Sequence, residues 1–336
     1  MSLKLTVVDQ SPVQGAPCNV SPVTLTIDLA RNCDRLGYHR YWLAEHHNSI
    51  NFAGPCPEIL ISHIASVTER IRVGSGGVML SHYSPYKVAE QFSMLETLYP
   101  RRIDLGIGRA PGGDALASHA LAYPAQPGLG NYAEQAWLLQ GLLHGTLPDD
   151  HAYKGLRVMQ GQPAIPQTWM LGSSGGSAGL AGQLGMKMTL ALFISPDLAP
   201  PSVMNEYKQA WRDAGHAGRP EANIAIAALC AESREQAEYF AAPAVYWKVK
   251  AFGQGIREIV KSPDEVLVLK AQLSASDRAL FDAILGSMVL GTPDECAEQI
   301  QRIADRYQSD EVGIVTVTYD YKDRLRSYEL LAGALI

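Results

Sequence analysis

Short apolar runs alternate with segments of helical period along almost the whole chain. Leu3 to Val8, Arg40 to Ala44, Ile71 to Gly76 and Arg102 to Ile107 read as buried strands. Thr168 to Leu171, Lys187 to Leu192, Asn223 to Ala231 and Glu311 to Val317 continue the series to eight. Between them lie amphipathic stretches. Ser21-Pro22 opens a helix with Leu25, Leu29, Cys33 and Leu36 on one face, and Gly37 ends it. Pro57 and Pro85 open two more, with Leu60, Ile64 and Val67, then Val88, Phe92, Leu95 and Tyr99, as their apolar faces. Thr292-Pro-Asp-Glu295 is a capping box before Ile300, Ile303 and Tyr307.

Some stretches break the rhythm. A Gly/Pro-rich loop is expected from Arg109 to about Gly130, then a helix over 131–144 and a short hairpin around Tyr153 to Val158. A helix is expected over 207–214, a helical insertion from Pro243 to Ser287, and a closing helix from Tyr321 to Leu335. Eight buried strands separated by helices predict an α/β fold, a single (β/α)8 TIM barrel over 1–336 with insertions after strands 4 and 7.

Composition sharpens this only a little. The chain has 336 residues, 47% of them hydrophobic, enough for a sizeable core, and a net charge of −6 with no block of like charges. That leaves no footprint for nucleic acid or an anionic membrane. No apolar run is long enough to span a bilayer and no signal peptide is expected at the start. Five dispersed cysteines without a C-x-x-C pair fit reduced thiols, and so a cytoplasmic protein, better than a disulfide framework.

The barrel prediction gathers strand ends at one face. The second strand runs into Glu45-His46-His47, and alternation along extended backbone points the two imidazoles in opposite directions. One of them can face a pocket, where histidine's near-neutral titration suits proton transfer. A polar loop with two solvated histidines is the alternative. Gly76-Gly77 closes the third strand, where glycine permits close approach of a flat ligand, or merely a tight turn. Gly106-Ile-Gly108-Arg109-Ala-Pro-Gly-Gly113 fails as a dinucleotide fingerprint because Pro111 replaces the third glycine. Arg109 reads instead as a fixed cation for a phosphate, or one half of an ordinary salt bridge. Leu171-Gly-Ser-Ser-Gly-Gly-Ser-Ala-Gly179 places backbone N–H groups, including those of Gly175 and Gly176, and the hydroxyls of Ser174 and Ser177 at a helix start. That is an anion site, with simple serine capping as the alternative. No Walker lysine is present after it, and a barrel with one phosphate site suits FMN. Adjacent histidines cannot both chelate from a strand, so no metal site is expected.

Over essentially its whole length the chain resembles the bacterial-luciferase-like flavin-dependent monooxygenases. Carrying the resemblance are Gly37-Tyr-His-Arg-Tyr-Trp-Leu-Ala-Glu-His-His47, Arg72-Val-Gly-Ser-Gly-Gly-Val-Met-Leu80, Lys87-Val-Ala-Glu-Gln-Phe92, Leu98-Tyr-Pro-Arg-Arg-Ile-Asp-Leu-Gly-Ile-Gly-Arg-Ala-Pro111 and Gly291-Thr-Pro293. It implies a barrel that takes reduced FMN from a separate reductase and uses oxygen to oxidise an aldehyde or other small organic substrate, with a homodimer as the assembly. His46 matches the family's catalytic histidine, and Gly76-Gly77 the pair whose peptide, expected to be cis, bulges beneath the flavin ring. Arg109, Ser174 and Ser177 match its phosphate contacts. Ser81 stands where proline is usual, Gly176 where many relatives carry a bulky residue, and Gly108 where light-emitting members carry a reactive cysteine. Two alternatives are a deazaflavin- or nicotinamide-linked oxidoreductase on the same barrel, and a flavin-binding protein without turnover. A titratable group beside the ring argues against the latter.

Overall fold

The computed structural model describes residues 3–123, 131–161, 164–194 and 199–336. Within them the strands, in chain order, are β1 (Lys4–Asp9), β2 (Arg40–Leu43), β3 (Arg72–Ser75), β4 (Val78–Met79) and β5 (Ile103–Gly108). Then come β6 (Gln167–Gly172), β7 (Lys187–Ala191), β8 (Ala222–Cys230), β9 (Val289–Gly291) and β10 (Glu311–Val315). Eight of them, β1, β2, β3, β5, β6, β7, β8 and β10, pair in parallel in that order, and β10 closes the ring by pairing with both β8 and β1. The fold is the expected (β/α)8 barrel. Two short strands were not expected from the sequence: β4 lies along β5, and β9 lies along the end of β8.

The helices are α1 (Pro22–Leu36), α2 (Pro57–Ser66), α3 (Pro85–Leu98), α4 (Ala115–Ala122), α5 (Tyr132–His144) and α6 (Gly175–Gln183). They continue with α7 (Ser202–Asp213), α8 (Arg234–Lys248), α9 (Pro263–Lys270), α10 (Ala275–Gly286), α11 (Pro293–Tyr307) and α12 (Tyr321–Leu335). Gly37 ends α1 at φ 91°, and Thr292 with Glu295 forms the capping box of α11, both as expected.

Other expectations need correction. Ser21 sits at the start of α1 without using its side chain as a cap. The segment after Arg109 is not all loop: Asp114 accepts from Ala117 N–H and starts α4 there, while 124–130 lie outside the described residues. Turns, not a hairpin, occupy 153–158. Pro243 lies inside α8, which Ser233 caps ten positions earlier. No helix of the described residues is long and apolar enough to cross a membrane.

Strand alternation sorts β2 into two faces. Tyr41 points outwards to the helices, its hydroxyl bonded to Asp9 and to the Thr26 carbonyl of α1. Arg40 and Trp42 point into the barrel. Arg40 opens the strand and meets Asp104 at 2.7 Å and Glu311 at 2.8 Å, while Arg72 meets Asp104 at 2.6 Å. Burial alone would raise the Asp104 pKa, but Arg40 and Arg72 together hold it below the ordinary carboxylate value. This buried charge cluster is the floor of the barrel. Above it Trp42 and Trp169 pack edge to face at 5.1 Å, with Val8, Ala225 and Val315 completing the layer.

Candidate active site

The barrel mouth is built from the segments beyond the strand ends. Past β2 the chain stays extended: Ala44 N–H donates to the Asp9 carbonyl at 2.9 Å, and His46 N–H to that of Gly54 at 3.0 Å. Glu45 is 1% exposed. It accepts from the Tyr83 hydroxyl (2.7 Å) and Met79 N–H (3.1 Å) and contacts His47 Nε2 at 2.6 Å. Burial, then Glu45 itself, pushes the Tyr83 pKa upwards and keeps the phenol protonated as a donor. His47 N–H also donates to the Gly112 carbonyl at 2.8 Å, which ties the end of β2 to the loop after β5. Gly112 adopts φ 62°, and a Cβ there would stand 3.0 Å from the Glu45 carbonyl oxygen. The resulting knot is tight.

His46 turns the other way, as alternation predicts. Its ring stacks on Phe52 at 4.5 Å, and Phe52 meets Trp247 of α8 edge-on at 5.3 Å. Nδ1 of His46 is buried without a partner among the described residues. Burial, assisted by the neighbouring His47, pulls the His46 pKa down to about 4. The expected near-neutral titration is therefore corrected: the ring is uncharged at physiological pH. Phe52 and Trp247 were missed from sequence because neither lies in a local pattern; only folding brings α8 to the loop after β2.

Gly76 and Gly77 come directly after β3, and the peptide between them is cis. A Cβ on Gly76 would reach the Trp42 Cβ at 3.0 Å, and one on Gly77 would reach the Gly106 carbonyl oxygen at 2.8 Å. At Gly77 a side chain would drive into backbone, and at Gly76 it would be tight against Trp42, so this stretch comes close to both neighbouring strands. Arg109 comes directly after β5 and is exposed. Ser174 lies just past β6, the strand paired with β5, and caps α6 in extended conformation without committing its side chain. No acid occupies the first turn of α6, so its N–H groups and the Ser174 and Ser177 hydroxyls can serve an anion. A side chain at Gly176 would meet open space, whereas Gly175 backs onto the Glu206 carboxylate. Tyr132, at the start of α5 and under the influence of the Arg109 charge, holds a buried hydroxyl without a partner among the described residues. These groups fit a ligand with a single phosphate.

Comparison with known proteins shows what this chain resembles. A family model described as luciferase-like monooxygenase matches residues 3–309. N-acetyl-S-alkylcysteine monooxygenase of Bacillus subtilis (strain 168) is 33% identical over 342 residues, with 99% of this chain and 98% of that protein covered. The crystal structure of apo-MsnO8 is 36% identical, with 99% of each chain covered and a TM-score of 0.85. The oxygenating constituent of 3,6-diketocamphane monooxygenase of Pseudomonas putida, solved in complex with FMN, shares the fold: TM-score 0.72, 18% identity, 100% and 98% covered.

Proposed function

The chain belongs to the luciferase-like monooxygenase family, and from that premise we propose that it uses reduced FMN and molecular oxygen to oxidise a small organic substrate. The observation that carries the reading is the juxtaposition, at the ends of the paired strands β5 and β6, of an exposed cation and an uncommitted helix N-terminus. FMN, when bound, would supply the electrons that activate oxygen. Arg109, the α6 N–H groups of Gly175 and Gly176, and the Ser174 and Ser177 hydroxyls would hold its phosphate. The Gly76-Gly77 backbone would support the ring from the third strand. His46 places a buried, unpartnered Nδ1 on this face of the mouth as the candidate proton acceptor; burial lowers its pKa to about 4, so it would need a negative charge developing beside it to take up a proton. Phe52 and Trp247 exclude water beside it.

The glycine-rich run after β5 makes no dinucleotide crevice, since it leads to α4 only after Pro111-Gly-Gly113 and Asp114. Reduced flavin would accordingly come from a separate reductase. The experiment is to supply reduced FMN and isotopically labelled oxygen gas with a panel of aldehydes and thioethers. One labelled atom in the organic product supports the reading. Oxygen reduced to peroxide without labelled product would leave a flavin-binding protein, and activity with reduced deazaflavin alone would leave an oxidoreductase.

A further inference from the structure

Side-chain contacts sort the last strands of the barrel into inward and outward faces. Gln167 opens β6 with its side-chain oxygen on Arg40 and on Lys187, both at 3.1 Å, so Gln167 and Lys187 point into the barrel with the floor. Alternation then turns Trp169 of β6 and Thr189 of β7 inwards as well. Asn223 of β8 donates through Nδ2 to Glu311 Oε1 at 3.2 Å, which places it in the same interior. Thr189 is the register partner of Asn223 on one side and of Leu171, two residues past Trp169, on the other. Three neighbouring strands thus bring an indole, a hydroxyl and an amide together next to the charged floor.

Each of the three keeps one polar atom without a partner among the described residues: Trp169 Nε1, Thr189 Oγ1 and Asn223 Oδ1. All three residues are 1% exposed, so bulk solvent does not serve them. A carboxylate only accepts, and Glu311 Oε1 already takes Thr6 Oγ1 and Arg40 Nε; the Asn223 amide therefore turns its NH2 to Glu311 and its oxygen away. The indole is held by Trp42 at 5.1 Å and by the Arg40 guanidinium, 4.8 Å from its ring centre. Neighbouring strands run about 4.8 Å apart, and Thr189 Oγ1 and Asn223 Oδ1 do not meet across that gap. One oxygen atom bonded at about 2.8 Å to each side spans it.

We infer that Trp169 Nε1, Thr189 Oγ1 and Asn223 Oδ1 form a binding site for one internal water molecule. The water accepts from Trp169, donates to Asn223 and makes its third bond with the Thr189 hydroxyl, the set of about three bonds that such waters make. The lining fixes the class of ligand. A cation would face the indole N–H and an anion the amide oxygen, so the occupant is neutral, small, and both donor and acceptor. Leaving three buried polar atoms unpaired is the costly alternative. The bridge ties β6, β7 and β8 together and keeps Asn223 on Glu311, so it belongs to the scaffold and does not depend on what the mouth binds.

A high-resolution crystal structure of the full chain tests this. The expected result is a well-ordered water peak within hydrogen-bond reach, about 2.7–3.2 Å, of all three atoms. Thr189→Val keeps the shape of the side chain and removes the hydroxyl. Magnetic relaxation dispersion of water oxygen-17 is expected to count one long-lived internal water fewer in this variant than in wild type. Absence of the peak, a peak that reaches fewer than all three atoms, or direct pairing among them would overturn the proposal. So would an unchanged count in folded Thr189→Val. If that variant does not fold, the wild-type crystal structure decides alone.

Discussion

Glu45 and His47 meet at 2.6 Å, Oε1 to Nε2, while His46 between them faces away onto Phe52. One extended segment thus serves two faces of the mouth: Glu45 and His47 tie loops together, and His46 is left against Phe52 and Trp247. The two adjacent histidines therefore have separate structural duties in this chain.

Glu45 is the hub of that tie. Tyr83→Phe removes a hydrogen bond to a buried carboxylate, and Glu45→Gln removes the charge that accepts it. In a double-mutant cycle the two should couple by roughly 1.5–3 kcal/mol in urea unfolding, the usual worth of a hydrogen bond to a charged group. Additive effects would mean that the two groups are independently solvated.

His46 should make stability depend on acidity in a definite direction. Its folded pKa of about 4 lies below the ordinary 6.5, so the unfolded chain takes up the proton first as the pH falls. The stability associated with the neutral ring is fully present above pH 6.5 and is lost on the way down to pH 4. The total is about 3 kcal/mol, at the 1.36 kcal/mol that each pKa unit represents. His46→Gln should lack this component. Denaturant unfolding of both proteins across that range checks it, and parallel curves would place the ring in water.

Turnover should be more sensitive than folding at the same residue. His46→Ala is expected to lower substrate-dependent oxygen consumption by about 10²–10⁴-fold, the range for losing a general base. Affinity for reduced FMN should stay close to wild type. A variant that turns over normally would shift the proton-handling role to His47.

The barrel floor should behave differently from the mouth. Arg40→Met strips Asp104 and Glu311 of a shared, buried partner, and breaking such a pair costs about 3–5 kcal/mol. Thermal unfolding should show a large drop, with FMN affinity per folded molecule unchanged. Loss of FMN binding in the folded fraction would mean that floor and mouth are coupled.

Much of this was legible in the chain because it is local. The strand ending in Glu45-His46-His47, the glycines at 76 and 77, the Gly37 stop and the Thr292 capping box each sit within a few residues of their cause. Features that escaped depend on contacts between distant segments. β4 and β9 are only two and three residues long, too short for any period to show. The low His46 pKa comes from burial under Phe52 and α8, and the Glu45 hub needs Tyr83 and Met79 from beyond β3. The expected hairpin at 153–158 failed because Tyr153 and Leu156 stay exposed and only Val158 is buried, so the run makes a surface turn, held by the Tyr86 hydroxyl donating to the Arg157 carbonyl.

The most direct test of the central claim, a one-phosphate flavin site at the mouth, is equilibrium titration with reduced FMN, reduced FAD and reduced riboflavin. Wild-type protein should bind FMN well above the other two. Arg109→Ala should weaken FMN binding by about 1.5–3 kcal/mol and riboflavin binding hardly at all, because the lost contact is a charge-assisted bond to the phosphate. FAD binding as tightly as FMN, or an equal loss of FMN and riboflavin affinity in Arg109→Ala, would contradict the account.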